Sequence, residues 1–195
     1  LSLADGSNGG IASNYTLAGG THLLTINKAV ISIAGTRQYD GSTNAVPADL
    51  SLNNLQGGEN LTLTGNGTIS DKNVATGKTL DVSGLTLGNG SGGTPGLSSN
   101  YKLDGGTHTF NVTKKDITFS GSRVYDGTTT VSSSDLVTND TISGETLAFS
   151  GSGTVSSANV QNNQSITLGS ITIADGSGGG LASNYNLTTG TFDIN

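Results

Sequence analysis

The chain has 195 residues, of which 31 are glycine, and only 11% of it is charged and 32% apolar. Its formal net charge is −6, and its eight Lys and Arg form no cluster, which speaks against nucleic acid and against direct membrane insertion. It contains no cysteine, so disulfide staples and thiolate metal sites are excluded.

A low apolar fraction marks disorder when charge is high and pattern is missing. Here charge is low, and the apolar residues form short alternating runs between clusters of Gly, Asn, Asp and Ser. That pattern predicts strands and tight turns. In chain order, strands are expected at 30–39, 50–55, 61–69, 80–87, 101–103 and 107–113, followed by a second set of the same kind. Alternation is plain in Leu61-Thr62-Leu63 and Leu80-Asp81-Val82, and again in Leu147-Ala148-Phe149 and Ile166-Thr167-Leu168. No long helical periodicity interrupts it.

The second set is a copy of the first. Residues 12–41 read ASNYTLAGGTHLLTINKAVISIAGTRQYDG, and residues 98–127 read SSNYKLDGGTHTFNVTKKDITFSGSRVYDG. Tyr15 thus recurs as Tyr101 and Tyr39 as Tyr125, each 86 positions on. The block from Glu59 to Val74 recurs from Glu145 to Val160. A third partial copy is split between the two ends: LSLADGSNGGIASNYTL opens the chain and ITIADGSGGGLASNYNL lies near its close. A period of this size is a small domain rather than a solenoid coil. The chain therefore reads as a piece of a longer array.

Side chains alternate along a strand, so a change in the parity of the apolar positions marks a break. Apolar positions are even in 24–26 and 110–112, and odd in 31–33 and 117–119. The changes fall at Lys28-Ala29 and Lys114-Lys115. This divides the chain into a remnant at 1–28, a first module at 29–114 and a second at 115–195. The expected fold is all-β, with each module a small antiparallel β-sandwich of immunoglobulin-like type in an elongated tandem array. A β-grasp-like module is the alternative, although no segment offers its helix. The remnant is expected to hold two or three strands, which must dock on the neighbour or stay frayed.

The recurring residues are the candidate sites. Asp40-Gly41 and Asp126-Gly127, each after a Tyr, supply the positive φ of a tight hairpin turn. Arg37 and Arg123 are expected to pair with a carboxylate such as Glu59 or Glu145. Tyr15, Tyr39, Tyr101, Tyr125 and Tyr185 are expected to bury their rings at module edges and bond through their hydroxyls, with a carbohydrate-stacking platform as the alternative. His22 and His108 are equivalent, and Phe192 occupies their place in the third copy, which speaks against a metal or catalytic histidine. Asp5, Asn89 and Asp175 head Gly-rich loops that offer one carboxylate or none, too few for calcium. Lys28/Lys114, Asn73/Asn159 and Glu59/Glu145 recur together, the residue types of a Lys–Asn isopeptide bond. Ala158 stands where the first copy has Lys72, which argues against a fixed charged site there. No cofactor and no catalytic constellation is expected.

The Lys28-to-Gly41 unit, repeated from Lys114 to Gly127, resembles the YDG-type repeat domain of filamentous-haemagglutinin-like bacterial adhesins. So do GTISDKNVATGKTLDVSGLTL at 67–87 and the SNYKL…GTHTFNVTK segment at 99–114. The resemblance implies a large protein secreted to the bacterial cell surface, acting in attachment and biofilm formation, and it implies no catalytic residue. The expected function is that of a structural stalk or spacer that presents a binding region. A repeat that binds host or matrix glycans, or one that packs against like copies on other cells, is the alternative. What recurs is mainly apolar, turn and single charged positions, which favours the spacer.

Overall fold

The structure, a computed structural model, describes residues 1–21 and 23–195. It is all-β, with no α-helix among the described residues and five 3-10 helices of three residues each. In the first repeat the strands are β1 (Ala29–Val30), β2 (Ser32–Gln38), β3 (Asn44–Ala45), β4 (Leu50–Asn53), β5 (Leu61–Gly65), β6 (Gly67–Ile69), β7 (Ala75–Asp81), β8 (Leu85–Asn89), β9 (Tyr101–Lys102) and β10 (His108–Thr113). The second repeat holds β11 (Lys115–Arg123), β12 (Thr130–Ser132), β13 (Leu136–Thr138), β14 (Leu147–Ser150), β15 (Ser152–Thr154), β16 (Gln161–Ser165), β17 (Thr172–Asp175) and β18 (Tyr185–Ile194). Two expected strands are broken, at Asn66 and at Val82–Gly84, where the chain crosses between sheets.

The main sheet of the first repeat has the order β3-β6-β7-β10-β2-β4, and the second repeat repeats its centre as β13-β11-β18-β16. A two-stranded ribbon lies beside each, β5-β8 in the first repeat and β14-β17 in the second. The expectation of purely antiparallel pairing does not hold. β10 runs parallel to β2, and β18 runs parallel to β11. Alternation in a sequence reports which face a residue takes and is silent on the direction of the neighbouring strand. The consequence is topological. The first long strand and the last strand of a repeat lie side by side and point the same way. The chain therefore enters a repeat at one pole and leaves at the other, where the next repeat begins.

Each core forms where these central strands cross the facing ribbon. Ile31, Ile33, Phe110 and Val112 are buried in the first repeat, and Phe119, Val131, Phe192 and Ile194 in the second. The ring of Phe110 lies over Gly35, where an added Cβ would come within 2.4 Å of it, and Phe192 lies over Gly121 in the same way at 2.9 Å. Glycine in mid-strand marks this kind of close approach. The first cluster continues past the boundary into Ile117 and Tyr185 of the second repeat, so the two cores are contiguous.

The strand register corrects the equivalence expected for the histidine. His108 lies opposite Ile33, while Phe192 lies opposite Gly121, the counterpart of Gly35, which is opposite Phe110. Phe192 therefore replaces Phe110, and the residue in the place of His108 is Gly190, opposite Phe119. The pair Ile33/His108 has become Phe119/Gly190, a large side chain traded across the ladder. His108 is spent on structure: its Nδ1 accepts from the Ile33 amide at 3.2 Å and its Nε2 lies 2.9 Å from the Leu103 carbonyl. The corresponding expectation for His22 lies outside the described residues.

Residues 1–28 carry the repeat pattern, yet no strand forms among those described there. Their counterpart β10 sits between β7 and β2, and both of those strands are already taken by β10. Leu23, Leu24 and Ile26 consequently face solvent.

Candidate functional site: the junction between the repeats

The Tyr-Asp-Gly segment is a bend held from three sides. Tyr39 follows β2 and donates its amide to Thr113 at 2.8 Å, and Tyr125 donates to Asn195 at the same distance. Asp40 Oδ1 accepts from the Ser42 amide, and Asp126 Oδ1 from the Thr128 amide, both at 2.9 Å. This closes an Asx turn, which needs a short acceptor side chain. Gly41 and Gly127 follow at φ +76° and +79°, a region costly for residues with a Cβ. The bend is not the two-residue hairpin expected, because β3 pairs with β6 rather than with β2.

The arginine two residues before the tyrosine braces this bend. The guanidinium of Arg37 lies 5.4 Å above the Phe110 ring, donates to the carbonyls of Ser42 and Asn44, and pairs with Asp40 at 3.2 Å. Arg123 does the same with Phe192, Thr128, Thr130 and Asp126, the last at 3.1 Å. The expected pairing of these arginines with Glu59 or Glu145 is therefore corrected. The Thr128 amide and hydroxyl and the Arg123 charge hold the Asp126 carboxyl below its usual range.

The bend delivers Tyr39 to Glu145 of the second repeat. The Tyr39 hydroxyl donates to Glu145 Oε1 at 2.6 Å, and the Tyr185 hydroxyl donates to Oε2 at 2.6 Å. Lys72 Nζ reaches Oε1 at 2.5 Å. The two tyrosine rings meet edge to face, 5.5 Å between centroids. Glu145 is only 5% exposed and Tyr39 2%. A buried carboxylate is tolerated when paired and hydrogen-bonded, and here both oxygens are supplied. Burial works against ionisation of Glu145, but Lys72, Tyr185 and Tyr39 outweigh it and hold the carboxyl below its usual range. Burial and then the carboxylate push both phenols up. Hydrogen bonds to Glu145 and Tyr39 raise Lys72.

Two further contacts lock the same junction. Buried Asn184 accepts from the Val74 amide at 2.9 Å and donates to Asn73 Oδ1 at 3.0 Å. Ile142 packs on Gly41, where an added Cβ would lie 2.9 Å from it. The junction is thus built from Tyr39, Gly41, Lys72, Asn73 and Val74 on one side and Ile142, Glu145, Asn184 and Tyr185 on the other.

Tyr101 repeats the role of Tyr185, donating to Glu59 at 2.6 Å and accepting from the Gln56 amide at 3.1 Å. Tyr15 and Tyr125 are largely exposed. Three of the five tyrosine rings are therefore spent inside the fold or the junction rather than offered to a ligand. Lys72 and Asn184 were not legible as site residues. The expectation that no fixed charge stands at Lys72 is corrected by its bond to Glu145. The lysine that reaches Glu145 is Lys72 and not Lys114, so the sequence grouping for an isopeptide bond is not assembled.

Asp5, Asn89 and Asp175 each accept through Oδ1 from the amide that opens the next 3-10 helix, at 2.6, 2.9 and 2.8 Å. An amide does this as well as a carboxylate, so these positions close the Gly-rich loops. No group of three or more His, Cys, Asp or Glu that could hold a metal occurs among the described residues.

A family model described as the YDG domain matches residues 24–110 and again 108–192. No curated protein and no solved structure matches the chain.

Proposed function

From the premise that the chain belongs to the YDG-domain family, we propose that it is a structural stalk segment of a large secreted bacterial adhesin of the filamentous-haemagglutinin-like type. Its work is to hold a binding region away from the cell surface. The observation that carries this reading is the junction. The Tyr of the Tyr-Asp-Gly bend, the residue most open to a ligand-binding role, is buried against Glu145 of the next repeat. The parallel first and last strands add to it, because they pass the chain from pole to pole. A stalk needs both a through-path and a stiff joint.

Small-angle scattering and a glycan array on the same preparation test the proposal. The expected result is an elongated particle with no saturable glycan binding. Saturable binding to one glycan class, lost in Tyr125→Ala, would replace the stalk with a binding module. A folded-back pair of repeats in scattering would remove the stiff joint on which the reading rests.

A further inference from the structure

We propose that the chain associates with itself head to tail, the Tyr125 end of one copy entering a socket beside Glu59 and Tyr101 of a second copy. The proposal rests on the equivalence of the two ends with the two halves of the internal junction, and not on what a stalk would present.

The socket is real and open. A cavity of about 400 Å³ is bordered by Gln56, Glu59, Asn100 and Tyr101 at the pole where the first repeat begins. These four are the counterparts of Ile142, Glu145, Asn184 and Tyr185. Tyr101 already holds one oxygen of Glu59, as Tyr185 holds one of Glu145. The second oxygen of Glu145 is the one that Tyr39 and Lys72 reach. Its counterpart on Glu59 faces the cavity side of the same arrangement.

The plug stands at the opposite pole. Tyr125, the counterpart of Tyr39, is 54% exposed, and Val160, the counterpart of Val74, is 65% exposed. Asn159 stands where Asn73 stands. The bend that aims Tyr125 is braced by Arg123 and Asp126 in the same way as the bend that aims Tyr39. The plug is thus preformed and needs no ordering on binding, which lowers the cost of association.

Two positions differ, and both weaken the intermolecular contact. Ala158 replaces Lys72, so Glu59 gains the tyrosine hydroxyl without the cation. Gln56 replaces Ile142, so the surface facing Gly127 is polar. The residues Ile26, Asn27 and Lys28 line the same cavity and must swing aside when the second copy docks; they hold no strand pairing that would resist it. The contact is heterologous, so each addition leaves one plug and one socket free and open chains result.

The test restores what the second copy lacks. Sedimentation equilibrium is run over a wide concentration range on the full chain, on Ala158→Lys and on Ala158→Lys/Gln56→Ile. The wild type is expected to associate weakly, Ala158→Lys at least tenfold more tightly, and the double variant more tightly still. Tyr125→Ala in the double background should return the mass to that of a monomer. Mixing that Tyr125→Ala protein with a Glu59→Ala version of the double variant should give dimers and nothing larger, because the pair retains one good plug and one good socket. The proposal is overturned if the double variant stays monomeric at the highest concentration, or if association survives Tyr125→Ala. A positive glycan array would remove the stalk reading and leave this result untouched.

Discussion

Tyr39 and Glu145 lie 106 positions apart in the chain and meet through a 2.6 Å hydrogen bond that is buried from solvent. Their counterparts Tyr125 and Glu59 sit at opposite poles. The same residue type therefore occupies two environments within one molecule. Tyr39→Ala should cost about 3–5 kcal/mol, the range for truncating a buried aromatic. Tyr39→Phe should cost about 1 kcal/mol, since it removes only the hydroxyl. Tyr125→Phe should stay within about 0.5 kcal/mol, as expected of an exposed position. Urea denaturation of the three variants checks this, and equal losses for Tyr39→Phe and Tyr125→Phe would contradict it.

The same contact makes the junction sensitive to pH at both ends. The folded Glu145 carboxyl is held below its usual value. Its contribution is present above the unfolded carboxylate pKa, about 4.3, and is lost as pH falls through the lower folded value. Lys72 and the two phenols are raised. Their contribution is complete below the unfolded values, about 10, and is lost as pH rises through the folded ones. Stability should be flat between about pH 5 and pH 9 and fall on both sides. In Glu145→Gln the acid fall should shrink, because the group that titrates is gone. An unchanged acid limb in that variant would assign the fall to other carboxylates.

Much of the fold was legible because it depends on near neighbours. The parity change at Lys114 found the gap between β10 and β11, and Asp-Gly announced the bend at Gly41. The parallel pairing of β2 with β10 was not legible, because alternation reports a face and not a direction. His108 was matched to Phe192 for a related reason. The loop before β18 is shorter than the loop before β10, and the Gly-Thr pairs at Gly106 and Gly190 draw the alignment two places off. Only the ladder, with Gly190 opposite Phe119, shows where the shortening falls. The junction was half legible. The chain's two glutamates, Glu59 and Glu145, recur at one repeat position, as do Tyr101 and Tyr185, and these pair within a repeat. Lys72 was discounted because Ala158 replaces it, yet an interface residue need recur only where the interface does.

Arg37 offers a third measurement. Its guanidinium binds two loop carbonyls, pairs with Asp40 and lies on Phe110. A lysine keeps the charge but lacks the planar fork that reaches several acceptors at once. Arg37→Lys should therefore lose about 1–2 kcal/mol, close to the loss in Arg37→Ala, rather than behave as a conservative change. Thermal unfolding checks it. Full retention of stability in Arg37→Lys would mean that charge alone holds the bend.

The exchange of Ile33/His108 for Phe119/Gly190 gives the sharpest test of the register. An added Cβ at Gly190 would lie 2.3 Å from the Phe119 ring. Both residues are buried in the packed centre of the second repeat, so neither can move away without shifting a strand. Gly190→Ala alone should cost about 1–3 kcal/mol, the usual range for overpacking. Phe119→Ile alone should also cost stability, because it leaves a void beneath Phe149, whose ring now lies 5.6 Å from that of Phe119. Together the two changes restore the small-over-large balance that Ile33 and His108 keep in the first repeat. The double variant should then be more stable than the sum of the single losses allows, by about 1 kcal/mol or more. Strict additivity in a double-mutant cycle would mean that Gly190 and Phe119 do not face each other, and that the glycine is there for the bulge between Ile117 and Phe119 instead.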